Sequence, residues 1–153
     1  MRFSVMRHGK SPSLSEAHVR HDAERPLSED GRHGAREMAK RLAAQGARPA
    51  LILTSPLKRA QQTAQEAASV LKPEHGVKVY DPLSNIMTAE ILFDHFIRDT
   101  EGESEFLGIG HQPQLGELVS YLTGQNIEIR PAGSVLMETD GRGKAKLVWS
   151  GNL

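Results

Sequence analysis

The sequence predicts an α/β protein: a three-layer α/β/α sandwich with a mostly parallel, mixed sheet and helices on both faces. Short apolar runs alternate with segments of helical periodicity, the order expected of parallel strands joined by crossover helices. The run ALILT at 50–54 is continuously apolar, as expected for a strand covered on both sides. The 153 residues suit one domain, so we expect a single domain over residues 1–153.

The first half of the chain is predicted to begin with an apolar strand and then a long polar loop. Ser28 is a common helix N-cap, and Glu29 and Asp30 favour the first turn of the helix after it. Ser55 is predicted to cap the next helix, with Pro56 at its first position. The expected elements are a strand at Arg2–Met6, a loop at Gly9–Leu27, a helix from Ser28 to about Gly46, a strand at Ala50–Thr54 and a helix from Ser55.

The second half continues the alternation and then closes with a hairpin. Gly124 stops the last helix, and Asp140-Gly141 is a typical hairpin turn between two strands. The hairpin adds antiparallel strands, which makes the sheet mixed. The expected elements are a strand at Val77–Tyr80, a helix at Thr88–Ile97, a strand at Glu105–Ile109, a helix at Gln112–Leu122, and strands at Ser134–Thr139 and Lys144–Trp149.

Composition excludes several kinds of protein. Lys and Arg together (19) equal Asp and Glu together (19), so no net charge favours nucleic acid or a membrane surface. The chain has no cysteine, which rules out disulfides, thiolate metal sites and a cysteine nucleophile. No signal peptide or membrane-spanning run is evident, so we expect a cytoplasmic protein, most simply a monomer.

Polar side chains follow three of the predicted strands. Arg7 and His8 end the first strand, Arg59 lies just after the second, and His111 follows the fourth. Because ligands of open α/β sheets bind beyond the carboxyl ends of the strands, we expect these four side chains to converge. Two guanidinium groups suit a phosphate, since their planar donors grip two oxygens at once. The pattern therefore predicts a phosphate pocket.

A histidine in such a pocket also suggests catalysis. A neutral imidazole nitrogen of His8 can attack phosphorus, and nearby cations disfavour its protonated form. His111, if protonated, would donate to phosphoryl oxygens as charge shifts in the transition state. Gly9 would permit close backbone approach to a ligand.

The segments that carry these residues resemble the signatures of a known family. RHG at 7–9, SPLKRAQQTA at 55–64 and GHQP at 110–113 look like the three signatures of the histidine phosphatase (phosphoglycerate mutase-like) superfamily, and RPLSEDG at 25–31 resembles a further segment. The order is the family's, and the pattern is most similar to the SixA-type phosphohistidine phosphatases. The resemblance implies a phosphoglycerate mutase-like fold.

The resemblance also implies roles. His8 becomes the phosphorylated nucleophile, while Arg7, Arg59 and His111 hold the phosphate, with no metal and no other cofactor. The implied substrate is phosphohistidine on another protein, because a short chain has little room for a lid over a small metabolite. Two alternatives stay open: a phosphatase of small phosphate esters with the same site, and a non-catalytic phosphate-binding or interaction protein.

Two further assignments are weaker. Larger members of the family have a carboxylate general acid, and the corresponding stretch here, YDPLSNIMTAE, offers Asp81 and Glu90, neither within a clear motif. His18 and His21, next to Asp22, could begin a zinc site, but no third ligand has recognisable spacing.

Overall fold

The computed structural model describes residues 1–153. Six strands and five helices alternate along the chain, with two further short 3-10 helices at Asp22–Glu24 and Asp81–Leu83. The elements are β1 Arg2–Arg7, α1 Leu14–Ala17, α2 Glu29–Ala44, β2 Leu51–Thr54, α3 Lys58–Leu71, β3 Val77–Val79, α4 Ala89–Asp99, β4 Glu105–Gly110, α5 Gln114–Thr123, β5 Ser134–Thr139 and β6 Ala145–Gly151.

All six strands form one mixed sheet in the order β3-β2-β4-β1-β5-β6. The first four positions of that order are parallel, and β5 and β6 add an antiparallel edge. Because β1, β4 and β2 are adjacent and parallel, their carboxyl ends meet at one edge of the sheet. The predicted mixed sheet is confirmed.

Two apolar cores lie on opposite faces of the sheet. Side chains alternate across a strand, so Phe3 and Val5 of β1 face one core while Met6 faces the other. The first core includes the buried faces of α4 and α5, and the second includes those of α2 and α3. This arrangement confirms the three-layer sandwich. No helix is long and apolar enough to span a bilayer.

Two details differ from the sequence prediction. The third helix begins at Lys58 with Leu57 as its N-cap, so the prediction that Ser55 caps it is wrong. Ser55 instead bonds to a site histidine and to the backbone N–H of Leu57, which keeps three residues outside the helix. The 9–27 segment is not wholly irregular, because Ser13 and Glu16 form a capping box that starts α1.

Candidate active site

The candidate site lies at the carboxyl ends of β1, β4 and β2. In the parallel register, Arg7 of β1 is paired with Gly110 of β4, so His8 and His111 leave the sheet side by side. The backbone N–H of His8 donates to the Gly110 carbonyl at 3.0 Å and fixes this relation. Ser55 follows β2 at the same edge, and the first turn of α3 then brings in Arg59.

The four predicted site residues come together. The imidazole rings of His8 and His111 have centroids 5.1 Å apart, and the Nε of Arg59 lies 3.4 Å from Nε2 of His8. Arg7 lines the same cavity. The predicted convergence of these side chains is therefore confirmed, whereas their catalytic roles stay predictions.

Two hydrogen bonds in series connect the loop that follows β1 to α3. The backbone N–H of Gly9 donates to the hydroxyl of Thr63 at 3.0 Å, and that hydroxyl donates to the Arg59 carbonyl at 2.8 Å. Thr63 is fully buried, so the link is shielded from water. It was not predicted, although Thr63 lies one helical turn after Arg59 within the segment SPLKRAQQTA.

Gly9 is required by packing against the N-terminus of α2. A Cβ on Gly9 would lie 2.6 Å from the Gly31 carbonyl oxygen, and a Cβ on Gly31 would lie 2.1 Å from that of Lys10. Both distances are far inside van der Waals contact, so each position needs a glycine. The close approach that the structure shows at Gly9 is thus to Gly31, and it sets the loop after β1 against the RPLSEDG segment.

The cavity at this edge has a volume of about 660 Å³ and is strongly cationic. Its charged lining consists of Arg7, Lys10, Arg25 and Arg59 with one carboxylate, Asp22. The Nε of Arg7 is buried and has no hydrogen-bond partner in the protein, although its Nη1 donates to the Ile129 carbonyl at 3.2 Å. With four cationic side chains and one carboxylate, the lining of the cavity is suited to an anion.

The surroundings of His8 determine its protonation state. Burial lowers the pKa of His8 to about 4; the hydrogen bond to the Gly9 carbonyl opposes this, and the charges of Arg59, Arg7 and Arg25 reinforce it. The ring is therefore neutral at pH 7. Cations were expected to keep it neutral, and burial proves to be the larger cause.

The tautomer of His8 follows from its two partners. Nδ1 lies 2.7 Å from the Gly9 carbonyl oxygen, which can only accept, so Nδ1 carries the hydrogen. The Nε–H of Arg59 points at Nε2, and arginine can only donate, so Nε2 carries the lone pair. Two independent contacts thus place the lone pair of the neutral ring on Nε2, the atom that is able to act as a nucleophile.

His111 is also neutral. Burial, followed by the charges of His8 and Arg59, lowers the pKa of His111 to about 4, while Asp22 opposes the shift. Its Nε2 lies 2.7 Å from the Ser55 hydroxyl. That hydroxyl also accepts from the Leu57 N–H, and because it keeps a second lone pair and its own hydrogen, the contact fits either neutral tautomer of His111.

Asp22 also lines the cavity, although the sequence did not indicate it as a site residue. Its carboxylate contacts both Arg59 and Arg25 at 2.9 Å. Partial burial opposes its charged form, but the hydrogen bonds and charges of the two arginines outweigh this and lower its pKa. The one available signal is its spacing three residues before Arg25, which lets the two side chains meet across one turn.

The weaker candidates lie elsewhere. Asp81 and Glu90 are exposed, and neither lines the cavity. His18 ends α1 with a left-handed backbone and His21 precedes the 3-10 helix, so they share no helical face. The structure contains no group of three or more His, Asp or Glu side chains placed to hold a metal ion.

The sequence matches a known family and a characterised relative. The model of the histidine phosphatase superfamily (branch 1) matches residues 3–87. The chain is 30% identical over 148 residues to the phosphohistidine phosphatase SixA of Escherichia coli (strain K12), covering 94% of this chain and 89% of that protein.

Solved structures of other phosphatases share the fold of this chain. The protein histidine phosphatase SixA complexed with tungstate superposes with a TM-score of 0.87 and 27% identity, covering 98% of this chain and 96% of that one. A phosphoserine phosphatase from Entamoeba histolytica, in complex with 3-phosphoglyceric acid, superposes with a TM-score of 0.72 and 14% identity, covering 99% and 97%. At that identity the likeness shows the fold alone.

Proposed function

The chain belongs to the histidine phosphatase superfamily (branch 1) and is a phosphatase, and from this premise we propose that it removes the phosphoryl group from phosphohistidine on a protein. The reaction would proceed through a phosphorylated His8. Arg7, Arg59 and His111 would hold the phosphoryl oxygens. The relative SixA, whose name states phosphohistidine as its substrate, supports the choice of substrate class.

The observation that carries the mechanism is the state of His8. Its Nε2 carries the lone pair and accepts from Arg59, its Nδ1 is held by the Gly9 carbonyl, and its lowered pKa keeps it neutral. In the proposed first step, Nε2 attacks phosphorus as the bond to the substrate's ring nitrogen breaks, and the substrate ring, which carries a proton on its other nitrogen, leaves as neutral imidazole. In the second, water attacks the phosphorus on Nε2 and His8 leaves as the neutral ring. The Nδ1–H···O contact stabilises the positive charge that develops on the ring in between.

The proposed clamp matches the donors at the cavity. Arg7 lines the cavity and would contribute guanidinium N–H donors, and Arg59 offers the N–H that faces His8 Nε2. His111 lines the cavity, and a bound phosphoryl dianion would raise its pKa and so favour the protonated ring, which donates to phosphoryl oxygens. These fixed donors stabilise charge on the phosphoryl oxygens without having to reorganise during the reaction.

The choice of phosphohistidine over a phosphate ester rests on the leaving group. An alkoxide needs a proton from a nearby acid, whereas an imidazole is only moderately basic and its P–N bond is weak. Asp22 is the only carboxyl at the cavity, and its arginine partners keep it ionised. The cavity therefore holds nucleophile and clamp but no side-chain carboxylic acid, which suits a leaving group that departs without one.

The test compares leaving groups. A histidine-phosphorylated protein and an activated aryl phosphate should be cleaved efficiently, and phosphoserine and sugar phosphates slowly. The expected phosphoenzyme is stable in base and labile in acid, and H8A should lack both it and turnover. A profile of kcat/KM that does not change with leaving-group basicity would favour the small-ester phosphatase. A folded chain that binds phosphate but turns over none of these substrates would favour the non-catalytic binding protein.

A further inference from the structure

Arg59 presents different edges of its guanidinium to two residues. Its Nη1 donates to the backbone carbonyl of Asp22 and its Nη2 donates to Oδ2 of the same residue, both at 2.9 Å. Nη1 and Nη2 form the end edge of the planar group. Nε and the second hydrogen of Nη2 form the side edge, and Nε points at His8 Nε2, 3.4 Å away. Asp22 therefore holds one edge while the other faces the nucleophile.

We propose that Asp22 is a positioning residue for the phosphatase reaction, which holds the end edge of Arg59 so that the side edge is aimed at a phosphoryl group on His8. The inference rests on the proposed function, because it assigns Asp22 a role in orienting the phosphate clamp. Asp22 acts through Arg59 and does not itself touch the reacting atoms.

The contacts around Asp22 hold its carboxylate in place. The Arg59 side chain is 8% exposed and that of Asp22 is 56% exposed, so a buried cation is anchored by a carboxylate at the cavity mouth. The other carboxylate oxygen of Asp22 accepts from Arg25 Nε at 2.9 Å, and Arg25 Nη1 donates to the Pro12 carbonyl at 3.0 Å. The carboxylate is thus held from two sides, and the guanidinium it grips has one orientation.

A negatively charged side chain beside a phosphate site can also block that site, but the geometry of the Asp22 contacts argues against this role. A carboxylate near a phosphoryl dianion repels it, so a carboxylate seated on the phosphate-binding donors would act as a block. Asp22 takes the end edge of Arg59 and leaves Nε–H and one Nη2 hydrogen unused by it. Its charge is also shared by two guanidinium groups, which weakens the repulsion.

The first experiment measures D22A and the nearly isosteric D22N with an aryl phosphate. Misplacing a charge donor by about an ångström costs up to about 100-fold in rate, so we expect kcat to fall about 10- to 100-fold in D22A. KM and inhibition by inorganic phosphate should change far less. E24Q is the matched control: Glu24 lies in the same 3-10 helix, is exposed and makes no ion pair. A kcat within twofold of wild type in D22A, or tighter phosphate inhibition, would overturn the inference.

The second experiment asks whether Asp22 acts through Arg59. In an R59A background, D22A should change kcat/KM by less than about twofold, because the group that it orients is gone. An equal loss in both backgrounds would show a structural role of the loop and overturn the inference. The H8A variant distinguishes a failure of this inference from a failure of the proposed function. An inactive H8A together with an unimpaired D22A overturns the inference alone, whereas an active H8A overturns the proposed function with it.

Discussion

The lowered pKa of His8 leads to a prediction about acid. A histidine with the ordinary pKa of 6.5 is about nine-tenths protonated at about pH 5.5, and a nucleophile of that kind would lose about tenfold in rate. With a pKa of about 4, His8 is only about 3% protonated at the same pH. We therefore expect the nucleophile to stay competent down to about pH 5, to be half protonated near pH 4 and to be lost below that.

Titration by NMR measures this directly, without the ionisation of a substrate. The ring Cε1–H signals of His8 and His111 should have midpoints near 4. His75 is an internal control of opposite sign, because its hydrogen bond to Glu103 raises its pKa above the ordinary value. Adding inorganic phosphate should move the midpoints of the two site histidines upward. A midpoint of His8 near 6.5 in the free protein would refute the argument from burial.

The lowered pKa values of His8 and His111 also affect the free energy of unfolding in acid. The unfolded chain binds a proton on each histidine below about pH 6.5, whereas the folded site resists protonation until about pH 4. Stability should therefore fall as the pH drops through this window and level off below it. For His111, which is 5% exposed, the loss amounts to roughly 3 kcal/mol. Urea unfolding of wild type and H111Q at about pH 7 and about pH 4.5 would show it: the variant should lose less.

Three other predictions follow from the site and its supports. Turnover should survive exhaustive treatment with a chelator, and activity lost to the chelator and restored by Zn²⁺ or Mg²⁺ would contradict the metal-free mechanism. R59A should raise the activation barrier by roughly 2–4 kcal/mol, measured as kcat/KM, and a loss below about threefold would contradict its place in the clamp. G31A should cost about 1–3 kcal/mol of unfolding free energy, because its Cβ would overlap the Lys10 carbonyl. The matched control is G34A, whose Cβ would crowd the flexible end of Leu153 and make an ordinary contact with Ala132, and equal losses in the two variants would refute the packing argument.

The convergence of the main site residues could be predicted because the ends of the strands can be identified in the sequence. Arg7, His8 and His111 lie directly after apolar runs, and parallel pairing brings those ends to one edge whatever the loops do. The start of α3 was misplaced for a local reason. Ser-Pro usually opens a helix, but here the Ser55 hydroxyl is used by His111, a residue 56 positions away.

The role of Asp22 could not be predicted for the same kind of reason. Its main partner, Arg59, lies 37 residues further along the chain, and nothing in local propensity indicates that two polar loop and helix residues will meet. Likewise, the buried bond between Gly9 and Thr63 depends on how closely α3 packs beside β1. Such contacts are properties of the assembled layers and become visible only in three dimensions.

The position of β1 in the sheet has a consequence for how the chain acquires its activity. Both neighbours of β1 are β4 and β5, which come from the last third of the chain, so the first strand to be synthesised is among the last to find its partners. Until then Phe3, Val5 and Met6 stay unpaired, a state that is prone to aggregation. Because His8 and His111 meet only when β1 joins β4, recovery of activity during refolding reports the closing of the sheet's centre rather than the formation of its helices.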